Sequence, residues 1–210
     1  MQGSNTSIDC VIDNEGNVYT TPIVDVLTGR DIGIDDYHHF ARIVPSNVDI
    51  VGRQQLKSLA VAGVRALDMR SCAAHVEFIG SRLGEIAARP GGNRPRILDL
   101  AYGIDELGAA YDALIGKSPE LVEKHRGAAA IVTPFPARNG TLHAIRHLDR
   151  LPDLPGYLYH EVRGQAGQAV GLSRNGYRAP LYIELQSDNA DTVRRSVDQI
   201  ASWTDLYEVE

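Results

Sequence analysis

The chain has 210 residues, of which 43% are hydrophobic and 23% charged, and its formal net charge is -6 at pH 7. These values are typical of a globular protein with a sizeable core. A nucleic-acid-binding protein would carry clustered Lys and Arg, so the negative net charge argues against a nucleic-acid partner. We find no signal peptide and no apolar run near the roughly 20 residues that span a bilayer, so we expect a cytoplasmic protein without membrane contact.

The first predicted elements are extended. Residues 6–13 alternate apolar and polar side chains, and residues 18–26 follow a turn as a second strand. Residues 28–36 form a loop rich in Gly and Asp, in which Arg30 either reaches a phosphate or stays solvated. Residues 37–44 predict a third strand. An unpaired first strand would favour self-association, so a homo-oligomer is one expectation.

The remaining elements predict an α+β fold. Residues 49–68 carry apolar side chains at helical spacing, and the later pattern alternates between short helices and short strands. The predicted strands are 72–79, 127–133, 140–147, 157–162, 170–172 and 178–186, and the predicted helices are 97–102, 105–115 and 190–203. We expect a mostly antiparallel sheet with packed helices over residues 1–118 and a β-rich subdomain over residues 119–210.

The stretch 75–92 carries the candidate chemistry. It predicts a β-hairpin with Glu77 in one strand, and with Glu85 and Arg89 on one side of the other. A three-residue loop at 80–82 would set the two glutamates directly opposite each other, whereas a two-residue loop at 81–82 would put them on opposite faces.

Opposed carboxylates would need a cation between them. Like charges directly opposite each other destabilise a strand pair, and two carboxylates completed by phosphate oxygens and water commonly hold Mg²⁺. Gly91 and Gly92 end the hairpin. They either let the backbone approach a bound ligand closely or form a plain turn.

These residues resemble a known family. The run H-x-E, a short turn and then G-E-I-x-x-R-P-G-G is similar to the metal-binding hairpin of the ATP-grasp enzymes, particularly the carboxylate-amine ligase branch that includes L-amino-acid ligases. The resemblance implies that Glu77 and Glu85 bind Mg²⁺ or Mn²⁺ and that Arg89 is a catalytic residue facing the transferred phosphoryl group. Many members carry an Asn at the position of Ala87, which offers no oxygen to a metal.

The N-terminus resembles the family segment G-x-E-x-S-x-D, which Gly3, Ser7 and Asp9 match, while Asn5 replaces the usual Glu. The phosphate-gripping lysines and the adenine hinge that the family places before this segment are not recognisable in the chain. The resemblance therefore implies the C-terminal half of a ligase, with Arg30, Gly91 and Gly92 as candidate cofactor-binding residues.

The implied activity is ATP-dependent joining of a carboxylate to an amine through an acyl phosphate. We expect the isolated chain to be inactive and to need a partner chain that supplies the N-terminal half. The competing hypothesis is a non-catalytic ATP-grasp remnant that serves as an interaction module. A metal-dependent hydrolase is a weaker alternative, because it would need a water-activating ligand set that the sequence does not provide.

Overall fold

The computed structural model describes residues 5–210, so Gly3 lies outside the described residues. The strands are β1 (Asn5–Ile12), β2 (Val18–Thr20), β3 (Val24–Thr28), β4 (His39–Val44), β5 (Cys72–Ile79), β6 (Arg82–Ala87), β7 (Ala128–Val132), β8 (Gly140–Ile145), β9 (Tyr157–Val162), β10 (Ala169–Val170), β11 (Leu181–Ser187) and β12 (Tyr207–Val209). The α-helices are α1 (Ile50–Ala66), α2 (Arg94–Tyr102), α3 (Glu106–Leu114) and α4 (Ala190–Ala201). The predicted α+β class with mostly antiparallel pairing is confirmed.

Contacts divide the chain into two compact units. The first contains the described residues up to Asp25 together with Val44–Arg126, and the second contains Val26–Ile43 and Gly127–Glu210. Each unit has its own buried apolar core. The domains expected from the sequence, 1–118 and 119–210, stay a prediction.

The first unit is built around β1. Strands β2 and β5 both pair antiparallel with β1, and β6 pairs antiparallel with β5. Helix α1 begins where the Asp49 carboxylate accepts a hydrogen bond from the amide of Gly52 at 2.7 Å. Its buried side chains pack with the even-numbered apolar side chains of β1: Ile8, Cys10, Ile12, Leu56, Ala60 and Val64. Because side chains alternate along a strand, Ser7 and Asp9 point to the other face.

The predicted strand at residues 18–26 is wrong as a single element. It divides into β2 and β3, because Pro22 between them has no N–H to donate to a ladder. The neighbouring Thr21 is fixed by β1 instead: its Oγ1 accepts a hydrogen bond from the amide of Asp9 at 3.1 Å.

The second unit contains a sheet with the strand order β3-β4-β7-β11-β9 and a small sheet with the order β10-β8-β12. Helix α4 packs on this core through Val193, Val197 and Ile200. Strand β12 is an element that the sequence pattern does not predict. Across residues 5–210, every helix is too short or too polar to cross a lipid bilayer.

Candidate functional site

A row of polar side chains crosses three neighbouring strands of the first unit. In the β1–β5 pairing, Ser7 lies opposite Glu77 and Asp9 lies opposite His75. In the β5–β6 pairing, Glu77 lies opposite Glu85. Directly paired residues share a face of the sheet. We call these five residues, Ser7, Asp9, His75, Glu77 and Glu85, the polar cluster.

The alignment of Glu77 with Glu85 depends on the shape of the hairpin. Gly80 and Ser81 form a two-residue turn, and Gly80 has a φ of 60°. That turn alone would pair Glu77 with Gly84, but the register shifts by one residue beside Glu77, so Gly84 becomes the extra residue of a β-bulge. The directly opposed arrangement is therefore present, although a tight turn and a bulge produce it rather than a three-residue loop.

His75 joins a buried carboxylate to a partly exposed one. Its Nδ1 lies 2.5 Å from an oxygen of Asp9, and its Nε2 lies 2.9 Å from an oxygen of Glu77. The side chains of Asp9 and His75 are 1% and 2% exposed, whereas that of Glu77 is 31% exposed. An ionised carboxylate only accepts hydrogen bonds, so a protonated imidazole satisfies both carboxylates at once.

The charged forms of both buried partners are stabilised by this contact. Burial opposes the charge on His75, but hydrogen bonds to Asp9 and then to Glu77 outweigh it and raise the pKa of His75. Burial also opposes the charge on Asp9, whose pKa is nevertheless lowered, chiefly by the hydrogen bond from His75. Asp9 and His75 therefore form a buried ion pair.

Arg94, at the start of α2, is a second buried cation beside the polar cluster and is 1% exposed. Its Nε donates to the hydroxyl of Ser7 at 2.8 Å and its Nη1 to the carbonyl of Gly92 at 3.1 Å. Its Nη2 has no hydrogen-bond partner among the described residues. Burial lowers the pKa of Arg94, and the negative charge of Asp9 is the strongest opposing effect.

Glu106, the first residue of α3, is a buried acid close to the carboxylate of Asp9. Burial, and then the negative charge of Asp9, raise the pKa of Glu106 to about 10. The side chain is therefore neutral near physiological pH. A neutral Glu106 leaves Asp9 as the carboxylate that balances the buried cations His75 and Arg94.

The two glycines after the hairpin differ in their surroundings. The amide of Gly91 donates to Asp9 at 2.6 Å, and a Cβ at this position would lie 2.4 Å from atoms of both His75 and Arg94. A Cβ at Gly92 would meet no heavy atom within 4 Å, and neither glycine is among the described residues with positive φ. Close packing against the buried ion pair therefore requires Gly91 but not Gly92. Their predicted role in cofactor binding stays a prediction.

We expect Gly91→Ala to lower the free energy of unfolding by about 1–3 kcal/mol, because overpacking forces the buried groups apart. Gly92→Ala is the matched control and should change stability by less than about 0.5 kcal/mol. Urea denaturation of both variants measures the difference. Equal stability of the two variants would show that residue 91 is not packed as described.

Arg89, the predicted catalytic residue, follows β6 and is exposed. Its Nη1 donates to the carbonyl of Pro90 at 3.2 Å, and it forms no ion pair with any described residue. Burial is the largest effect that lowers the pKa of Arg94, and the positive charge of Arg89 lowers that pKa further. Arg89 therefore presents an uncompensated cation close to the polar cluster.

Arg30, the predicted phosphate contact, belongs to the second unit. It forms an ion pair with Asp35 at 2.9 Å, and its guanidinium carbon lies 3.9 Å from the ring centre of Tyr37. These partners orient the side chain within its own loop. Its role in phosphate binding stays a prediction.

The acidic pair fits a divalent cation only with help from other oxygen ligands. Within residues 5–210, no group of three or more His, Cys, Asp or Glu side chains is arranged to hold a metal ion. Ala87, which lies opposite His75, adds no oxygen. However, Glu85 is exposed, forms no ion pair with the described residues and faces another acid. Two carboxylates that repel each other and face water fit a cation that shares them with phosphate oxygens.

The sequence pattern identifies the acidic pair but misses the buried charges behind it. Ser7 and Asp9 stand out only through the motif match, and His75 only because it shares a face with Glu77. A stronger indication is available in β1, where Ser7 and Asp9 occupy the face opposite Ile8, Cys10 and Ile12. Arg94 and Glu106 lie in the first turns of helices, where charged side chains are usually solvated, so no pattern marks them as buried.

Comparisons with known proteins show which folds the chain is similar to. No family model matches the sequence. The uncharacterized protein y4rH of Sinorhizobium fredii is 24% identical over 200 residues, which cover 85% of this chain and 41% of that protein.

Solved structures match over nearly the whole chain. An L-amino acid ligase from Bacillus licheniformis superposes with a TM-score of 0.82 at 16% identity, covering 100% of this chain and 52% of that one. A phosphoribosylglycinamide synthetase from Anaerococcus prevotii gives 0.71 at 14% identity, with 100% and 54% covered. An N5-carboxyaminoimidazole ribonucleotide synthetase from Thermotoga maritima gives 0.69 at 13%, with 98% and 52% covered. The ATP-grasp fold expected from the resemblance is confirmed, and the chain spans about half the length of these structures.

Proposed function

We propose that the chain is one half of an ATP- and Mg²⁺-dependent carboxylate-amine ligase. The observation that carries the proposal is the register of the hairpin, in which Glu77 lies directly opposite Glu85. The shared fold with an L-amino acid ligase supports this class of reaction. In this proposal, Glu77 and Glu85 hold Mg²⁺ or Mn²⁺ together with phosphate oxygens of ATP.

The β-bulge supports a functional origin of the acidic pair. Without the shift at Gly84, Glu77 would face a glycine and the like charges would be separated. The fold instead keeps an arrangement that destabilises a hairpin in the absence of a cation. Bulges often re-aim side chains near active sites, and this bulge turns Glu85 toward Glu77.

The proposed reaction needs little covalent chemistry from the protein. A substrate carboxylate oxygen attacks the γ-phosphorus of ATP and ADP leaves, which yields an acyl phosphate. The amine nitrogen then attacks the acyl carbon, phosphate leaves and the nitrogen loses a proton. The protein's contribution is positioning and charge neutralisation. Arg89, exposed and without an ion-pair partner among the described residues, would offset charge on the transferred phosphoryl group. Bound Mg²⁺ would neutralise charge on the nucleotide phosphates.

The isolated chain is proposed to lack activity. It spans about half the length of the ligases whose fold it shares. The family resemblance further implies that two lobes form the nucleotide site, of which this chain supplies one. We propose that a second polypeptide segment supplies the remaining half, including adenine contacts and much of the pockets for the carboxylate and amine substrates.

Mn²⁺ binding followed by electron paramagnetic resonance tests the proposal. We expect the chain to bind one Mn²⁺ weakly, with a dissociation constant on the order of 0.1–1 mM, because only two carboxylates contribute. Glu77→Gln and Glu85→Gln should each weaken binding at least about tenfold, whereas the control Glu161→Gln on β9 should not. Unchanged binding in both hairpin variants would refute the proposed metal site.

One observation favours the alternative of a non-catalytic remnant. Ala87 stands where many ATP-grasp ligases carry a third metal-binding oxygen donor, so any metal site here has fewer protein ligands. In that case, the chain would be an interaction module that keeps the fold without the chemistry. Mn²⁺ binding that is insensitive to both glutamate substitutions is the result expected for the remnant.

A further inference from the structure

The proposed metal ligands are held in different ways. Glu77 accepts a hydrogen bond from the Nε2 of His75 at 2.9 Å, and that imidazole is itself anchored by Asp9, 2.5 Å from its Nδ1. Glu85 is exposed and has no comparable support among the described residues. The structure therefore preorganises one carboxylate of the pair and leaves the other adjustable.

Asp9 anchors the contacts that run from Asp9 through His75 to Glu77, and its own side chain is held in place. Asp9 lies in the central strand of the first unit and is buried, and its second oxygen accepts from the amide of Gly91 at 2.6 Å. Gly91 in turn packs against the imidazole so closely that a Cβ would lie 2.4 Å from the Nδ1 of His75. The imidazole is thus confined from two sides, and its Nε2 has a fixed direction toward Glu77.

A confined imidazole affects metal binding through the carboxylate that it holds. A carboxylate whose orientation is already fixed loses less conformational freedom when it binds a cation, and groups that orient metal ligands commonly change metal affinity by about 10–100-fold.

We propose that Asp9 and His75 are positioning residues, which hold Glu77 in the orientation that lets it share a divalent cation with Glu85. This inference rests on the proposed function, because it assigns a role toward the metal proposed there. Neither residue touches the cation: Asp9 acts on His75, and His75 acts on Glu77. A purely structural role would instead affect stability without a specific effect on metal binding.

Two substitutions of His75 separate these roles. In His75→Asn, the side-chain amide nitrogen occupies a place close to that of Nδ1, so the contact to Asp9 is kept and the contact to Glu77 is lost. In His75→Gln, the amide nitrogen reaches the place of Nε2, so the contact to Glu77 is kept and the contact to Asp9 is lost. Both variants replace the ring with an amide donor.

Mn²⁺ titration by electron paramagnetic resonance and urea denaturation are measured for both variants. We expect His75→Asn to weaken Mn²⁺ binding about tenfold and His75→Gln to stay within about threefold of the unaltered protein. Stability should change in the opposite order, with the larger loss in His75→Gln. Equal effects on Mn²⁺ binding, whether both large or both absent, would overturn the positioning role.

A second measurement uses the unaltered protein and does not depend on how the variants fold. The ¹⁵N resonance of His75 Nε2 is expected to shift when Mg²⁺ is added, because Glu77 is then shared with the cation. An unchanged Nε2 resonance at saturating Mg²⁺ would contradict the inference. Failure of the proposed function is distinct: the chain then binds no Mn²⁺, or binds it equally well in Glu77→Gln, and both proposals fall together.

Discussion

Asp9→Asn is expected to lower the free energy of unfolding by about 3–5 kcal/mol, because it removes the buried carboxylate that balances the cations His75 and Arg94. The carboxylate of Asp9 contacts the imidazole of His75 at 2.5 Å and the amide of Gly91 at 2.6 Å, and both contacts are buried. The Asn side chain preserves the shape but not the charge. Urea denaturation at neutral pH measures the loss.

The pH dependence of this loss follows from the lowered pKa of Asp9. Burial opposes ionisation, but the hydrogen bond from His75 prevails, so the folded pKa lies below the ordinary value of 3.8. A carboxyl with a depressed pKa contributes stability that is present above its unfolded pKa and lost as the pH falls through its folded pKa. The difference in the free energy of unfolding between Asp9→Asn and the unaltered protein should therefore be large at neutral pH and become smaller at acidic pH.

Asp35→Asn is the matched control for Asp9→Asn. Asp35 also contacts charged partners, Arg30 at 2.9 Å and Arg174 at 3.3 Å, but its side chain is 74% exposed. Exposed ion pairs contribute little to stability, because water screens both charges. A loss in Asp35→Asn as large as that in Asp9→Asn would contradict the central role of the buried charge.

Glu106→Gln is expected to stabilise the protein at alkaline pH. The pKa of Glu106 is raised to about 10, first by burial and then by the charge of Asp9. A group with a raised folded pKa contributes stability that is present below its unfolded pKa and lost as the pH rises through its folded pKa. Between about pH 5 and pH 9, the folded protein must keep a proton that the unfolded chain releases, so stability falls with rising pH.

The size of this effect is set by the linkage between protonation and folding. One proton retained on folding changes the free energy of unfolding by at most about 1.4 kcal/mol per pH unit. Glu106→Gln removes that slope, so we expect the stability advantage of the variant over the unaltered protein to grow steadily as the pH rises from about 5 to about 9. Urea denaturation from about pH 5 to pH 9 is the measurement. Parallel pH profiles for the two proteins would show that Glu106 titrates normally.

The sequence predicts the alternating strands and the amphipathic helices because the apolar spacing that defines them is local. The pattern at residues 6–13 and 72–79 gives the strands found as β1 and β5 within a residue or two. The division at Pro22 and the short β12 escape prediction, because a brief strand is decided by the partner that it meets. Strand pairing itself is non-local, so the neighbour relation of β1 and β5 is not readable from spacing alone.

For the candidate site too, local sequence patterns predict some residues but not the non-local contacts between them. Glu77 and Glu85 stand out because alternation and turn length are local rules, yet the one-residue bulge at Gly84 decides whether they meet. The burial of Arg94 and Glu106 depends on how α2 and α3 pack against the rest of the first unit, which no short motif encodes. Tertiary packing therefore determines how the acidic pair is supported, while the sequence indicates where it lies.

The location of a bound divalent cation is the most direct test of the proposed metal site. Mn²⁺ broadens nearby amide resonances in a ¹H–¹⁵N spectrum, and substoichiometric Mn²⁺ identifies the preferred position. We predict that the amides of Glu77 and Glu85 broaden first and that the Glu77→Gln/Glu85→Gln double variant loses this broadening. Broadening confined to other acidic segments, such as the turn that contains Asp13 and Glu15, would contradict the proposal that the opposed glutamates hold the metal.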